Sequence, residues 1–177
     1  MNIEKYIKNA KFLIFDFDGT IANTSPLHEA AFQKTFKPFN ISINYYEIAG
    51  KSTKEAIVNI LGKNKLKLDT SEIDKLIIKK QSLVREQIKY SSTFKTIPYA
   101  TDFIKKAYDL YPLAIASSGS RKTVESALKR LNLKKYFSYI LCCEDVKKAK
   151  PSPEIFLKMI NLAKFNKEEA LIFEDSN

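Results

Sequence analysis

The chain has 177 residues, 45% hydrophobic and 28% charged, with only 4 Gly and 6 Pro, a balance that excludes a disordered tail or linker and suits one compact domain or a core with a small insertion. Its formal net charge is +10, but 27 of the 30 basic residues are lysines scattered along the chain, which reads as a solvated, anion-steering surface without a nucleic-acid partner. No apolar run approaches bilayer length, the N-terminus MNIEKYIKNAKF lacks an apolar signal stretch, and adjacent Cys142 and Cys143 suit neither a disulfide nor a metal site. A cytoplasmic protein with no membrane partner is expected, with Cys142 and Cys143 as buried small residues, and the sequence leaves the oligomeric state open.

Residues 11–16, KFLIFD, form an apolar run closed by an acid, the pattern of a parallel strand buried on both faces. Ser25 and Pro26 read as an N-cap and first helical residue, opening a helix through about Phe36. Two further helices are predicted over 52–62 and 71–90, the second from Ile73, Leu76, Ile77, Leu83, Val84 and Ile88 at helical spacing, with no strand between. From residue 98 the pattern alternates: helix 99–109, strand 112–117, helix 121–131, strand 138–143, helix 153–163, strand 170–174. Ser152 and Pro153 repeat the capping signature.

Such alternation implies an α/β protein: an open parallel, Rossmann-like sheet flanked by helices, formed by 1–24 and 93–177. Residues 25–92 read as a small all-helical cap inserted after the first strand.

Open parallel sheets bind ligands beyond the carboxyl ends of their strands. Four polar clusters fall there: Asp16-Phe17-Asp18-Gly19-Thr20, Ser117-Ser118-Gly119-Ser120, Lys150-Pro151 and Glu174-Asp175-Ser176. Two aspartates at i and i+2 can face one crevice, so one carboxylate can attack phosphorus while the other handles the leaving-group proton. Glu174 and Asp175 add hard oxygen ligands that, with Asp16, suit Mg²⁺. Ser117, with backbone N–H groups at a helix N-terminus, offers a seat for phosphate oxygens, Ser118 lies beside it, and Lys150 supplies an ammonium for the same group. Taken one at a time these are an Asp-Gly turn, a helix cap, one lysine of many and a solvated acidic pair; their joint placement at strand ends argues for a site.

With these residues in hand, the sequence resembles the haloacid dehalogenase superfamily, and within it the beta-phosphoglucomutase-like phosphatases and phosphomutases with a helical cap. FDFDGTIANTSPLH resembles the first motif, ASSGS the second, KKAKPSPEIF the third and LIFEDSN the fourth, a match running from Lys11 to Asn177. The resemblance implies Asp16 as nucleophile, Asp18 as general acid and base, Ser117 and Lys150 as phosphoryl binders, and Mg²⁺ held by Asp16, the Asp18 carbonyl and Asp175, with Glu174 close by.

It also implies that Thr24 and His28 govern proton transfer, and that GKSTKEAI, with Gly50, Lys51 and Thr53, is a substrate loop. Thr53 stands where the mutase carries a phosphate-binding arginine, which favours a phosphatase, although Lys51 or Lys54 could stand in. Asn23 replaces a common aspartate, and Tyr99 replaces a common glycine. Relatives continue past the fourth motif, so the C-terminal part of the usual core is expected to be missing. The expected activity is Mg²⁺-dependent hydrolysis of a small phosphomonoester, a sugar or polyol phosphate, through an aspartyl-phosphate. The alternatives are a phosphomutase and a truncated, catalytically weak binding or regulatory protein.

Overall fold

The computed structural model describes residues 8–175. Ser176, part of the fourth polar cluster, therefore lies outside the described residues.

Four short strands form one parallel sheet: β1 (Phe12–Phe15), β2 (Leu113–Ala116), β3 (Tyr139–Leu141) and β4 (Ala170–Phe173), in the order β3-β2-β1-β4. β1 and β2 are buried at every position, as their unbroken apolar runs require, because both faces are covered. On one face Phe12, Ile14, Ala114 and Ala116 pack against Ile155, Met159 and Ile160 of α6 (Glu154–Ala163). On the other, Leu13, Phe15, Leu113 and Ile115 meet Ile104 and Ala107 of α4 (Ala100–Tyr108) and Val124, Ala127 and Leu128 of α5 (Arg121–Arg130). Alternate residues of one strand thus serve two cores, the consequence of a two-residue side-chain period.

Between β1 and α4 the chain forms α1 (Ser25–Phe36), α2 (Thr53–Lys63) and α3 (Thr70–Tyr90), with two 3₁₀ turns but no strand. These helices have a core of their own around Phe32, Phe36, Ile48, Ile57, Ile60 and Leu61. Val84 and Ile88 of α3 and Leu27 of α1 instead join the core beneath the sheet. The path out and the path back are tied together: the Asn23 N–H donates to the Lys95 carbonyl (3.1 Å) and the Ile97 N–H to the Ile21 carbonyl (2.9 Å).

Helix starts differ in detail from the sequence expectation. Thr24, not Ser25, is the N-cap residue of α1, and its hydroxyl makes no capping bond because it is committed to Asp18. Likewise α6 begins one residue past Pro153. By contrast, α2 and α3 open on full capping boxes, Ser52 with Glu55 and Asp69 with Glu72. Tyr99, 85% exposed, adopts φ 64, the left-handed conformation that glycine takes without strain. Cys142 is fully buried, whereas Cys143 is half-buried in a 3₁₀ turn, so only the first matches the expectation for the pair.

Candidate active site

The described residues of all four polar clusters emerge on the same edge of the sheet. Asp16 follows β1 directly and is 5% exposed. Lys150, which precedes a cis proline, reaches across 134 residues to place Nζ 2.6 Å from Asp16 Oδ1 and 2.8 Å from Glu174 Oε2. Desolvation by burial pushes the Asp16 carboxyl up to about 7; Lys150 opposes the rise, and the neighbouring Asp18 and Glu174 charges add to it. This carboxylate is costly to ionise without more positive charge nearby.

Asp18 sits two residues on, across from Ser117. The Thr24 hydroxyl donates to Asp18 Oδ1 at 2.6 Å, and the Ser117 hydroxyl lies 3.5 Å from Oδ2. Gly19 turns the chain with φ 86, and a Cβ there would collide with the carboxylate of Asp175, which packs over it. The Thr20 hydroxyl donates to Asp175 Oδ1 at 3.4 Å. Carboxylate oxygens of Asp16, Glu174 and Asp175 lie within 4.8 Å of one another. Three hard oxygen donors at that spacing, around a carboxylate whose charge needs compensation, fit a magnesium ion.

Ser117 is fully buried at the end of β2, and its Oγ accepts the Gly119 N–H at 2.9 Å. The first N–H of α5, Arg121, is already held by both oxygens of Glu144, at 3.1 and 3.0 Å. That N–H is thus taken by a carboxylate of the chain, while Ser118 and Gly119 of the same loop line the cavity above the strand ends.

Over these strand ends lies a partly open cavity of about 140 Å³, lined by Asp16, Asp18, Ser118, Gly119, Glu174 and Asp175 below. From α1, α2, α3 and the connection between the first two come His28, Phe32, Tyr45, Gly50, Lys51, Thr53 and Lys80. Of the residues singled out in the sequence, His28, Gly50, Lys51 and Thr53 line this cavity. Lys54 is not among the lining residues, which leaves Lys51 as the loop lysine at the cavity.

Sequence reasoning missed Lys80. It is 2% exposed, and its Nζ lies 2.9 Å from His28 Nδ1, 3.3 Å from Thr53 Oγ1 and 4.4 Å from the centre of the Phe32 ring. Since the ammonium only donates, Nδ1 of His28 is the acceptor and the imidazole proton resides on Nε2, which faces Asp18 Oδ1 at 3.5 Å. Burial, followed by the Lys80 charge, lowers His28 to about 4, so the ring is neutral at pH 7. The signal was present in the sequence: Ile77, Lys80, Val84 and Ile88 fall at intervals of three and four, so Lys80 interrupts an apolar stripe. Tyr45 was also missed. It lies in a 3₁₀ turn, half-buried, and shares a hydrogen bond with Ser25.

Comparison with known proteins agrees with this geometry. Residues 13–177 match the model of the family described as haloacid dehalogenase-like hydrolase. The chain belongs to that family. Among haloacid dehalogenase-like relatives, a phosphorylated carbohydrates phosphatase of Thermotoga maritima is 28% identical over 93% of this chain and 76% of its own length. Pyrophosphatase PpaX of Oceanobacillus iheyensis is 31% identical over 80% of this chain and 64% of its own length. The crystal structure of CbbY from Rhodobacter sphaeroides in complex with phosphate superposes with a TM-score of 0.85 at 25% identity, covering 94% of this chain and 78% of that one. The chain is thus a hydrolase of the phosphatase type in this family. Among the described residues no helix is long and apolar enough to cross a membrane.

Proposed function

We propose that the protein hydrolyses phosphomonoesters of small metabolites in a Mg²⁺-dependent reaction through an aspartyl-phosphate on Asp16. The observation that carries this reading is the meeting of Asp16 and Asp18 after β1, Ser117 after β2 and Lys150 beyond β3, with Glu174 and Asp175 after β4 beside them. Asp16, Glu174 and Asp175 would hold the ion, with the Asp18 carbonyl as the family resemblance implies. When bound, it supplies positive charge that lets a phosphate dianion approach a carboxylate.

In the first half-reaction an Asp16 oxygen bonds to phosphorus as the ester P–O bond breaks, and the leaving oxygen takes a proton from Asp18. Lys150, already on Asp16, balances charge on the phosphoryl oxygens, and the Ser117 hydroxyl donates to one of them. In the second, Asp18 takes a proton from water, the water oxygen bonds to phosphorus, and the bond to Asp16 breaks to release inorganic phosphate.

Thr24 holds Asp18 in place through Oδ1, while the Nε2–H of neutral His28 faces the same oxygen. The inserted helices act as a cap that keeps bulk water from the cavity. The reading also takes the enzyme to be cytoplasmic, in keeping with free thiols at Cys142 and Cys143 that burial pushes up to about 12. The test is phosphate release from a panel of metabolite phosphates with and without Mg²⁺. Asp16→Asn is expected to lower turnover by at least about 10³-fold. Release that persists in that variant, or without any divalent ion, overturns the mechanism.

A further inference from the structure

Basic residues that are scattered along the chain are gathered by the fold at one place outside the active site. Where α3 packs against α5, an open groove of about 810 Å³ runs between them. Arg85 and Lys89 of α3 stand on one wall and Lys129 and Arg130 of α5 on the other, against a single carboxylate, Glu86. Ser126 and Lys129 also line a second groove, of about 700 Å³, which continues along α5 to Lys122, Lys134 and Lys135. Its one carboxylate, Glu125, is already held by Lys134 at 3.3 Å.

This groove differs from an ordinary solvated lysine surface. The chain has 27 lysines to 3 arginines, yet two of those arginines, Arg85 and Arg130, line it. An arginine fork grips a pair of phosphoryl oxygens, which a lysine ammonium does not. The third arginine, Arg121, is paired with Asp145. Among the described residues, by contrast, none of Arg85, Lys89, Lys129 and Arg130 has a carboxylate within ion-pair distance. Arg85 and Lys89 also stand four apart on one helix, an arrangement of like charges that costs stability unless an anion answers it. The helix dipole accounts singly for Lys89, Lys129 and Arg130, which lie in last turns. It accounts neither for Arg85, a turn earlier, nor for the convergence of two helices on one recess.

We infer that this groove is a binding site for a linear polyphosphate, inorganic or carried by a nucleoside, separate from the strand-end cavity. From Lys122 to Arg130 α5 rises about 12 Å, room for several phosphoryl groups in line. The single aromatic residue lining the groove is Tyr90, and Lys89 Nζ already lies 4.9 Å from the centre of its ring. A row of free aromatic faces, on which single-stranded nucleic acid stacks its bases, is thus not what the groove offers. One wall belongs to the inserted helices and the other to the helices of the sheet, so the bound anion ties the two together. The assignment is independent of the proposed hydrolysis.

The experiment is calorimetric titration of the full chain with inorganic tripolyphosphate in metal-free buffer, where the carboxylates of Asp16, Asp18, Glu174 and Asp175 repel an anion from the cavity. Tripolyphosphate is expected to bind at least about 100-fold more tightly than orthophosphate, and Arg85→Gln/Arg130→Gln to weaken it by about 10- to 100-fold. Lys34→Gln/Lys167→Gln removes the same charge at exposed positions elsewhere and should change binding by less than about threefold. Arg85 is half-buried, so Arg130→Lys, at an exposed position, guards against misfolding: it keeps the charge, loses the fork and should weaken binding by about three- to tenfold. Asp16→Asn protein is expected to bind tripolyphosphate as the parent does, which keeps this test apart from the test of hydrolysis.

ATP in place of tripolyphosphate separates the two sources. Equal affinity assigns the site to the phosphate chain alone, and tighter binding assigns it to a nucleotide. Absence of binding by the parent protein overturns the inference, as does an equal loss in the two double variants, the mark of adsorption to net charge. Displacement of tripolyphosphate by a short single-stranded oligonucleotide at a lower phosphate concentration also overturns it, in favour of nucleic acid.

Discussion

The two sides of the cavity handle charge in opposite ways. At the strand ends, Asp16, Glu174 and Lys150 stand in direct contact, and the excess negative charge is held by fixed geometry on a rigid sheet. On the side of the inserted helices, Lys80 is kept by neutral partners alone. On the function proposed above, the contrast points to a division of labour: the sheet edge would take the phosphoryl group common to every substrate, and the helices the part that distinguishes one substrate from another. Residues of the first kind should cost activity when changed, and those of the second should trade stability against selectivity.

The largest effect that would sharpen this contrast is expected at Lys150. Lys150→Met leaves Asp16 and Glu174 facing each other without the ammonium between them, and should lower kcat/KM by about 10²- to 10³-fold for anionic and neutral esters alike. A loss confined to one ester class would break the division. Gly19→Ala comes next. Its Cβ would displace Asp175 at a backbone of φ 86, so the concentration of Mg²⁺ giving half-maximal activity should rise by about tenfold or more, with little change in the preference among esters.

On the helix side the sign reverses. Lys80→Met removes a buried cation whose protonated form burial disfavours, so thermal or urea unfolding at pH 7 should show a gain of roughly 1–3 kcal/mol. Destabilisation by that substitution would mean that the ammonium is well compensated after all.

The smallest effect concerns acid. His28 is held near 4 in the folded protein against 6.5 when free, so the unfolded chain binds the proton first. The stability this provides is complete above pH 6.5 and is lost as pH falls from 6.5 towards 4. His28→Gln should therefore flatten the pH dependence in that window, by up to about 2–3 kcal/mol, when its unfolding is compared with the parent protein. The comparison between the two proteins cancels the opposite contribution of Asp16, whose raised carboxyl favours the folded state less as pH climbs from about 4 to about 7.

Much of the core was legible because its signals are local. KFLIFD is an apolar run that only a doubly covered strand explains, and Asp16 follows from its end. Ser117, Lys150, Glu174 and Asp175 could be placed together because parallel strands deliver their carboxyl ends to one edge. Capping was less legible. Thr24 and Ser25 are both plausible N-caps by type, and the choice turned on Asp18 claiming the Thr24 hydroxyl. The first N–H of α5 looked available for phosphate, but Glu144, distant in sequence, holds it.

What the sequence determined by itself was therefore the order of elements, the parallel sheet and the identity of the groups at its strand ends, since each rests on periodicity or on residues adjacent to a strand. Only the tertiary structure decided which surface of the inserted helices faces those groups. Lys80, Tyr45 and His28 are brought over Asp18 by packing between elements far apart in the chain, where side-chain direction depends on the summed contacts of several helices. One lysine among 27 carries no mark of that in its neighbours beyond its place in an apolar stripe; its burial, and the charge left unanswered there, exist only once α1, α2 and α3 have closed around it.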